Sequence, residues 1–172
     1  YKIPTNDWLD LSTGIAPISY PIPEIPLTVW QQLPQKNVEL IEAAKHYYKC
    51  PSIMVTNGSQ SIIKVLPKLW GSRKNTRQDN SFLHNTKGTV YLPERGYKEH
   101  AESWTLAGYQ CCFYQDHLPE VTSLEKNSVL VVINPNNPTG KLFTQATLKH
   151  YQQALKALNG LLVIDEAFMD VI

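Results

Sequence analysis

No apolar run in this chain approaches the ~18 residues that a membrane-crossing helix needs, so a membrane-spanning protein is not expected. An excess of one charge is missing too: the formal net charge is +1, and charged residues make up 18% of the chain. That balance leaves no electrostatic footprint for nucleic acid or for a membrane surface. Cysteine is scarce. Cys50 stands alone and Cys111 and Cys112 are adjacent, which gives neither a CxxC pair nor a disulfide framework. Free thiols of this kind fit a reducing, cytoplasmic setting, and no metal site is expected. The opening Tyr1-Lys2-Ile3-Pro4 lacks a basic region followed by an apolar stretch, so no secretory leader is read there. Internal repeats and heptads are absent as well.

What is present is a chain of 172 residues, long enough for one ordinary domain with a sizeable core. From Leu9 to Pro34 it is proline-rich, with Pro17, Pro21, Pro23, Pro26 and Pro34 enforcing an extended path without continuous helix. Asn37 reads as the N-cap of a helix reaching about Tyr48, with Val38, Ile41, Ala44 and Tyr48 on one face. A short strand is expected at Ile53 to Thr56. It turns through Asn57-Gly58 into a helix starting near Ser59, whose buried stripe would be Ile62, Ile63, Leu66 and Leu69. Ser72 to Gly88 is polar and aperiodic and reads as a surface loop or insertion. A strand at Thr89 to Leu92, a helix at Tyr97 to Ala107 and a strand at Tyr109 to Tyr114 follow, the last holding Cys111 and Cys112. Next come a strand at Ser128 to Ile133, a helix at Thr144 to Leu158 with Leu148, Tyr151, Leu155 and Leu158 on one face, and a stop at Asn159-Gly160. The final strand is Leu161 to Ile164. Strands alternating with helices, built from apolar runs instead of in/out alternation, argue an α/β fold with a mostly parallel sheet flanked by helices.

Two strand ends carry the chemistry. Val129 to Ile133 runs into Asn134-Pro135-Asn136-Asn137-Pro138-Thr139-Gly140, and Leu161 to Ile164 runs into Asp165-Glu166-Ala167-Phe168. Ligands of open α/β sheets sit beyond the carboxyl ends of the strands, so the Asn137 amide and the Asp165 carboxylate are aimed toward one crevice. Thr56-Asn57-Gly58-Ser59-Gln60 places free N–H groups, a hydroxyl and a helix dipole where a phosphate could bind, although Asn-Gly-Ser is also an ordinary turn and cap. Tyr97 follows another strand at the same end and could stack on a flat ring, or simply pack at a helix start. His100 is expected to pack or support, not to act.

In this order and spacing, Gly58-Ser59-Gln60, Tyr97 with His100 three residues on, Asn-Pro-Thr-Gly at 137–140 and Asp-x-Ala-Phe at 165–168 resemble the fold-type I family of pyridoxal-phosphate enzymes. That resemblance implies pyridoxal 5'-phosphate as cofactor, with Asp165 and Tyr97 as the catalytic pair of this chain. Gly58, Ser59 and Gln60 would hold the phosphate, Tyr97 would stack on the pyridine ring, and Asn137 would reach its phenolic oxygen. Asp165 would keep the ring nitrogen protonated, because a nearby carboxylate favours the cationic form. Within the family, Leu9 to Pro17, Tyr20 to Pro23 and Trp30 to Pro34 resemble the threonine-phosphate decarboxylases of cobalamin biosynthesis. Phe168 points the same way, since many aminotransferases carry Tyr there. The implied substrate is L-threonine O-3-phosphate, with Ser12, Gly14 and Ile15 approaching it. The same arm could instead pack on a partner subunit. A homodimer, with no nucleic-acid or membrane partner, is implied.

On this resemblance, residues 1–36 are an extended arm and 37–172 the front part of a cofactor-binding large domain. The family's Schiff-base lysine follows the Asp-x-Ala-aromatic strand, and the sequence ends at Ile172 before it. Lys141, Lys149 and Lys156 stand in the wrong context to replace it. A fragment that does not itself turn over substrate is therefore expected. Two other readings stay open: an aminotransferase acting on histidinol phosphate or a related amino compound, and a non-catalytic module binding a phosphorylated ligand.

Overall fold

The computed structural model describes residues 4, 7–8, 18–35, 37–73 and 87–171. Their contacts divide the chain into two units, Tyr1–Ile53 and Met54–Ile172.

In the first unit the proline-rich stretch is not helix-free. Helix α1 (Leu27–Gln31) forms between Pro26 and Pro34, with Pro26 as its N-cap residue. A proline at a helix start sacrifices no helical hydrogen bond, so these prolines bound a short helix instead of forbidding one. Helix α2 (Val38–Tyr48) is capped as expected: the Asn37 side chain accepts from the Leu40 N–H at 2.9 Å. Lys49 closes it in the left-handed region at φ 50°. Neither helix has a buried residue.

The second unit is an α/β sandwich around four parallel strands. They are β1 (Thr89–Pro93), β2 (Gln110–Tyr114), β3 (Val129–Ile133) and β4 (Leu161–Asp165), in the sheet order β2-β1-β3-β4. Helices α3 (Ser59–Ser72), α4 (Lys98–Leu106) and α5 (Gln145–Ala157) complete it. All five residues of β3 are buried, as a central parallel strand requires. Its residues alternate between two cores. Val129 and Val131 join Trp70, Val90, Leu92, Trp104 and Tyr109 on the α3–α4 side. Leu130 and Val132 join Tyr114, Leu118, Leu124, Leu148 and Leu155 on the α5 side. The α5 stripe is as expected, with Leu148 and Leu155 buried and Tyr151 and Leu158 packed beside them.

Two expectations need correction here. Ile53 to Thr56 is not a strand: Met54 is 80% exposed and Val55 51%, so no neighbouring strand covers them. The α3 stripe holds only in part: Ile63 is buried and Leu66 packs against the core as expected, but Ile62 and Leu69 are exposed, and Pro67 and Trp70 are buried instead. Both sets obey the helical period, and the face carrying the large Trp70 ring is the one that reaches the core. Residues 74–86, most of the expected Ser72–Gly88 loop, lie outside the described residues.

Candidate active site

All four strands are parallel, so their carboxyl ends lie at one edge of the sheet. The chain leaves β1 toward β2, then crosses to β3 and continues outward to β4, which makes β1/β3 the switch point where ligands are usually sought. That crevice encloses only about 20 Å3 beside Arg95, Asn136 and Lys141, room for a water and no more. A larger cleft of about 260 Å3 lies beside it. Its walls are Ser59, Gln60, Tyr97, Ile133, Asn137, Asp165, Ala167 and Phe168.

Each wall arrives for a local reason. Gly58 turns into α3 at φ +77°, a left-handed conformation that suits glycine, and a Cβ built there would meet nothing within 4 Å. No side chain caps α3; the Ser61 N–H already donates to the Gly58 carbonyl at 3.3 Å, so the N–H groups of Ser59 and Gln60 are the ones free to face a ligand. The turn after β1 comes so close to β3 that a Cβ on Gly96 would lie 2.6 Å from Pro93 and 3.0 Å from Ile133. That close approach delivers Tyr97, the residue before α4, to the cleft. Its hydroxyl donates to Gln60 Oε1 at 3.2 Å, and Gln60 Nε2 donates to Glu99 Oε2.

After β3, two of the three asparagines are tied down, Asn134 within its own loop and Asn136 partly across to the turn after β1. Asn134 Oδ1 accepts from the Phe143 N–H at 2.7 Å, and its Nδ2 donates to the Phe143 carbonyl at 3.3 Å. Asn136 Nδ2 donates to the Arg95 carbonyl at 2.6 Å and to Thr139 Oγ1 at 2.7 Å. Asn137 stays exposed at the cleft.

Asp165 pairs with Ile133 in the sheet register and is held from two sides. His100 Nε2 lies 2.8 Å from its Oδ2, and the Ala167 N–H donates to its Oδ1 at 3.1 Å. An ionised carboxylate can only accept, so the imidazole carries its proton on Nε2. The His100 hydrogen bond, aided by the Ala167 N–H and the His100 charge, outweighs burial and holds the Asp165 carboxyl below the ordinary aspartate value. It stays ionised at neutral pH. The cleft thus joins a fixed anion, an exposed amide, an aromatic ring and an uncapped helix start.

Gly58 precedes this cleft, and Ser59, Gln60, Tyr97, Asn137 and Asp165 line it. Ser12, Gly14 and Ile15 lie outside the described residues. Sequence reasoning passed over Glu99 and Asn136, and it did not pair His100 with Asp165, 65 residues away. Only an acidic residue one position before His100 and a run of asparagines hinted at them.

The family model described as aminotransferase class I and II matches residues 30–172. The chain belongs to that family. Its members depend on pyridoxal phosphate. The chain is 38% identical over 99% of its length to a threonine-phosphate decarboxylase from Pseudomonas aeruginosa. It is 32% identical over 96% of its length to another from Sinorhizobium sp.. It spans 46% of the length of each of these relatives. Among solved structures, L-threonine-O-3-phosphate decarboxylase from Porphyromonas gingivalis matches 76% of this chain and 36% of its own, at TM-score 0.52 and 15% identity. That likeness speaks for the fold alone. No helix among the described residues is long and apolar enough to cross a membrane, and no group of three or more His, Cys, Asp or Glu among them could hold a metal.

Proposed function

We propose that this chain belongs to a pyridoxal-phosphate-dependent carboxy-lyase that converts L-threonine O-3-phosphate to (R)-1-amino-2-propanol O-2-phosphate in cobalamin biosynthesis. The observation that carries the proposal is the ionised Asp165 carboxylate, held by His100 in the cleft that Tyr97 and Asn137 share. Similarity to the two threonine-phosphate decarboxylases supports the choice of substrate.

The residues suit the cofactor. An uncapped helix start with the Ser59 hydroxyl offers donors for a phosphate, and the Tyr97 ring offers a flat surface for a pyridine. When bound, the cofactor supplies a protonated pyridine ring that draws electrons from the substrate's α-carbon. Asp165 holds the proton on the ring nitrogen, and His100 keeps Asp165 charged for that task. Asn137 donates from its amide to the phenolic oxygen. Gly58 lets the chain turn so that the N–H groups of Ser59 and Gln60 meet the phosphate. Phe168 has no hydroxyl to add to the phenolic oxygen and lines the cleft as an apolar wall. The substrate-side role expected of Ser12, Gly14 and Ile15 belongs to the same proposal and falls on residues outside the described ones. We also propose a cytoplasmic homodimer; the free thiols of Cys50, Cys111 and Cys112 support the first, and the exposed apolar side chains Ile22, Leu27, Trp30 and Leu33 of the arm support the second.

The test uses the full-length protein with pyridoxal phosphate and L-threonine O-3-phosphate, following carbon dioxide release with no oxo-acid acceptor present. Acceptor-independent release is expected. Amino transfer from histidinol phosphate to 2-oxoglutarate without such release would move the protein to the aminotransferases. Failure of both would leave a phosphorylated-ligand-binding module.

A further inference from the structure

Glu99 does not line the cleft, yet it holds a residue that does. It sits in the first turn of α4, on a separate outer groove shared with Lys64, Lys68 and Glu102. From there its Oε2 accepts from Gln60 Nε2, while Gln60 Oε1 accepts from the Tyr97 hydroxyl at 3.2 Å.

A glutamine side chain can turn end for end, exchanging its donor and its acceptor. The Tyr97 hydroxyl tolerates either end, because it both donates and accepts. A carboxylate tolerates only one. Glu99 therefore decides the sense of the whole chain, Tyr97 O–H to Gln60 to Glu99, and puts the Gln60 acceptor toward the ring. The ring has little else to hold its far end. Tyr97 is 42% exposed, and its ring contact is an edge-on approach to His100 at 6.4 Å between centroids.

We propose that Glu99 is a positioning residue: through the Gln60 carboxamide it sets the Tyr97 ring in the cleft. It thereby commits the Gln60 side chain to that ring and leaves only the Gln60 backbone N–H for a phosphate. The consequence for the cofactor rests on the function proposed above; the consequence for the ring does not. Gln60 thus has a different task from the one its neighbour Ser59 has. The Gly-Ser-Gln motif joins two roles in adjacent residues.

The test is a double-mutant cycle in the full-length protein, read as the pyridoxal phosphate dissociation constant from spectroscopic titration. Glu99→Ala and Tyr97→Phe should each weaken binding roughly threefold to tenfold, the scale of one hydrogen bond. The double variant should be no weaker than the worse single one, because both changes break the same chain. Losses that multiply would overturn the proposal, as would full affinity in Glu99→Ala. Glu99→Gln keeps the shape but can present either end to Gln60, so its affinity should fall between parent and Glu99→Ala. Crystal structures of the cofactor-free parent and Glu99→Ala, which leaves Gln60 Nε2 no acceptor at this position, separate the two levels of inference. A shifted Tyr97 ring or a turned Gln60 carboxamide is expected, and an unchanged pair would overturn the positioning role even if the cofactor binds. A parent protein that binds no pyridoxal phosphate would instead remove the proposed function, while the ring geometry would still decide the role of Glu99.

Discussion

After β3 the chain carries Asn134, Asn136 and Asn137 in quick succession; β4 ends on the carboxylate of Asp165, the one acidic side chain among the described residues that lines the cleft. The first turn is held largely by itself. Asn134 bonds the backbone of Phe143 in both directions, and Asn136 ties Thr139 and, across to the turn after β1, Arg95. The second is held mainly from outside, by a histidine of α4. A turn whose Asn134 and Asn136 amide donors are already bonded can present one exposed amide at little cost to its structure, although the buried Asn136 Oδ1 finds no partner among the described residues. A carboxylate only 11% exposed cannot stand alone, because an unpaired, largely buried charge is strongly disfavoured. On the function proposed above, residues of similar polarity have different tasks: Asn134 and Asn136 shape the turn, Asn137 meets the ligand, and Asp165 does both.

The sharpest way to test this is to remove the Asp165 charge while keeping its shape. Asp165→Asn in the full-length protein still offers an oxygen to His100 but forfeits the part of the pairing that depends on charge, so it should fold with a melting temperature modestly below that of the parent. It cannot hold a proton on the cofactor ring. Carbon dioxide release should fall by about a hundredfold or more, the scale of losing one preorganised electrostatic group. Normal turnover would show that Asp165 serves packing alone.

His100→Phe tests the external support from the other side. Asp165 has a lowered pKa in the folded protein, so its pairing adds stability above its unfolded value of about 3.9. That contribution drains away as the pH falls through the lower folded value. Urea denaturation should therefore show a deficit of roughly 1–3 kcal/mol in the variant at pH 6, the cost of an unsatisfied buried polar group. The deficit should shrink below pH 4. A deficit that is the same at pH 6 and pH 3 would mean that the ring's packing matters and its hydrogen bond does not.

Most of the frame behind these residues was legible. Apolar runs of five and four residues, each ending in a polar turn, define β3 and β4, and parallel strands must present those turns at one edge. Asn137 and Asp165 could be placed there without coordinates. The pairing of His100 with Asp165 could not, because it joins residues 65 apart and no local period encodes it. Nor could the choice among the three asparagines, since which of them is satisfied depends on the paths of Arg95, Thr139 and Phe143. The α3 stripe was legible only in part for a related reason: Ile63 and Leu66 were placed, but whether Ile62 and Leu69 or Pro67 and Trp70 joined them depended on the shape of the core. Ile53 to Thr56 has strand-forming residues, but a strand also needs a neighbour.

Within the turn after β3, Asn136→Ala should cost roughly 1–3 kcal/mol of stability, because the Arg95 carbonyl and the Thr139 hydroxyl lose their shared donor. Thermal unfolding of the full-length protein measures it. Two elements would loosen together, since that amide bridges the turns after β1 and β3.

Asn137→Ala completes the comparison with the smallest structural effect. Its side chain is exposed, so stability should change by no more than about 0.5 kcal/mol. Its pyridoxal phosphate affinity should nonetheless fall by roughly threefold to tenfold, one hydrogen bond's worth. The two asparagines are adjacent, identical in chemistry and opposite in expected behaviour, which makes the pair more informative than either alone. Should Asn137→Ala destabilise the protein as much as Asn136→Ala while binding the cofactor normally, the turn would be a single structural unit. The amide assigned to the phenolic oxygen would then have to come from elsewhere in the cleft.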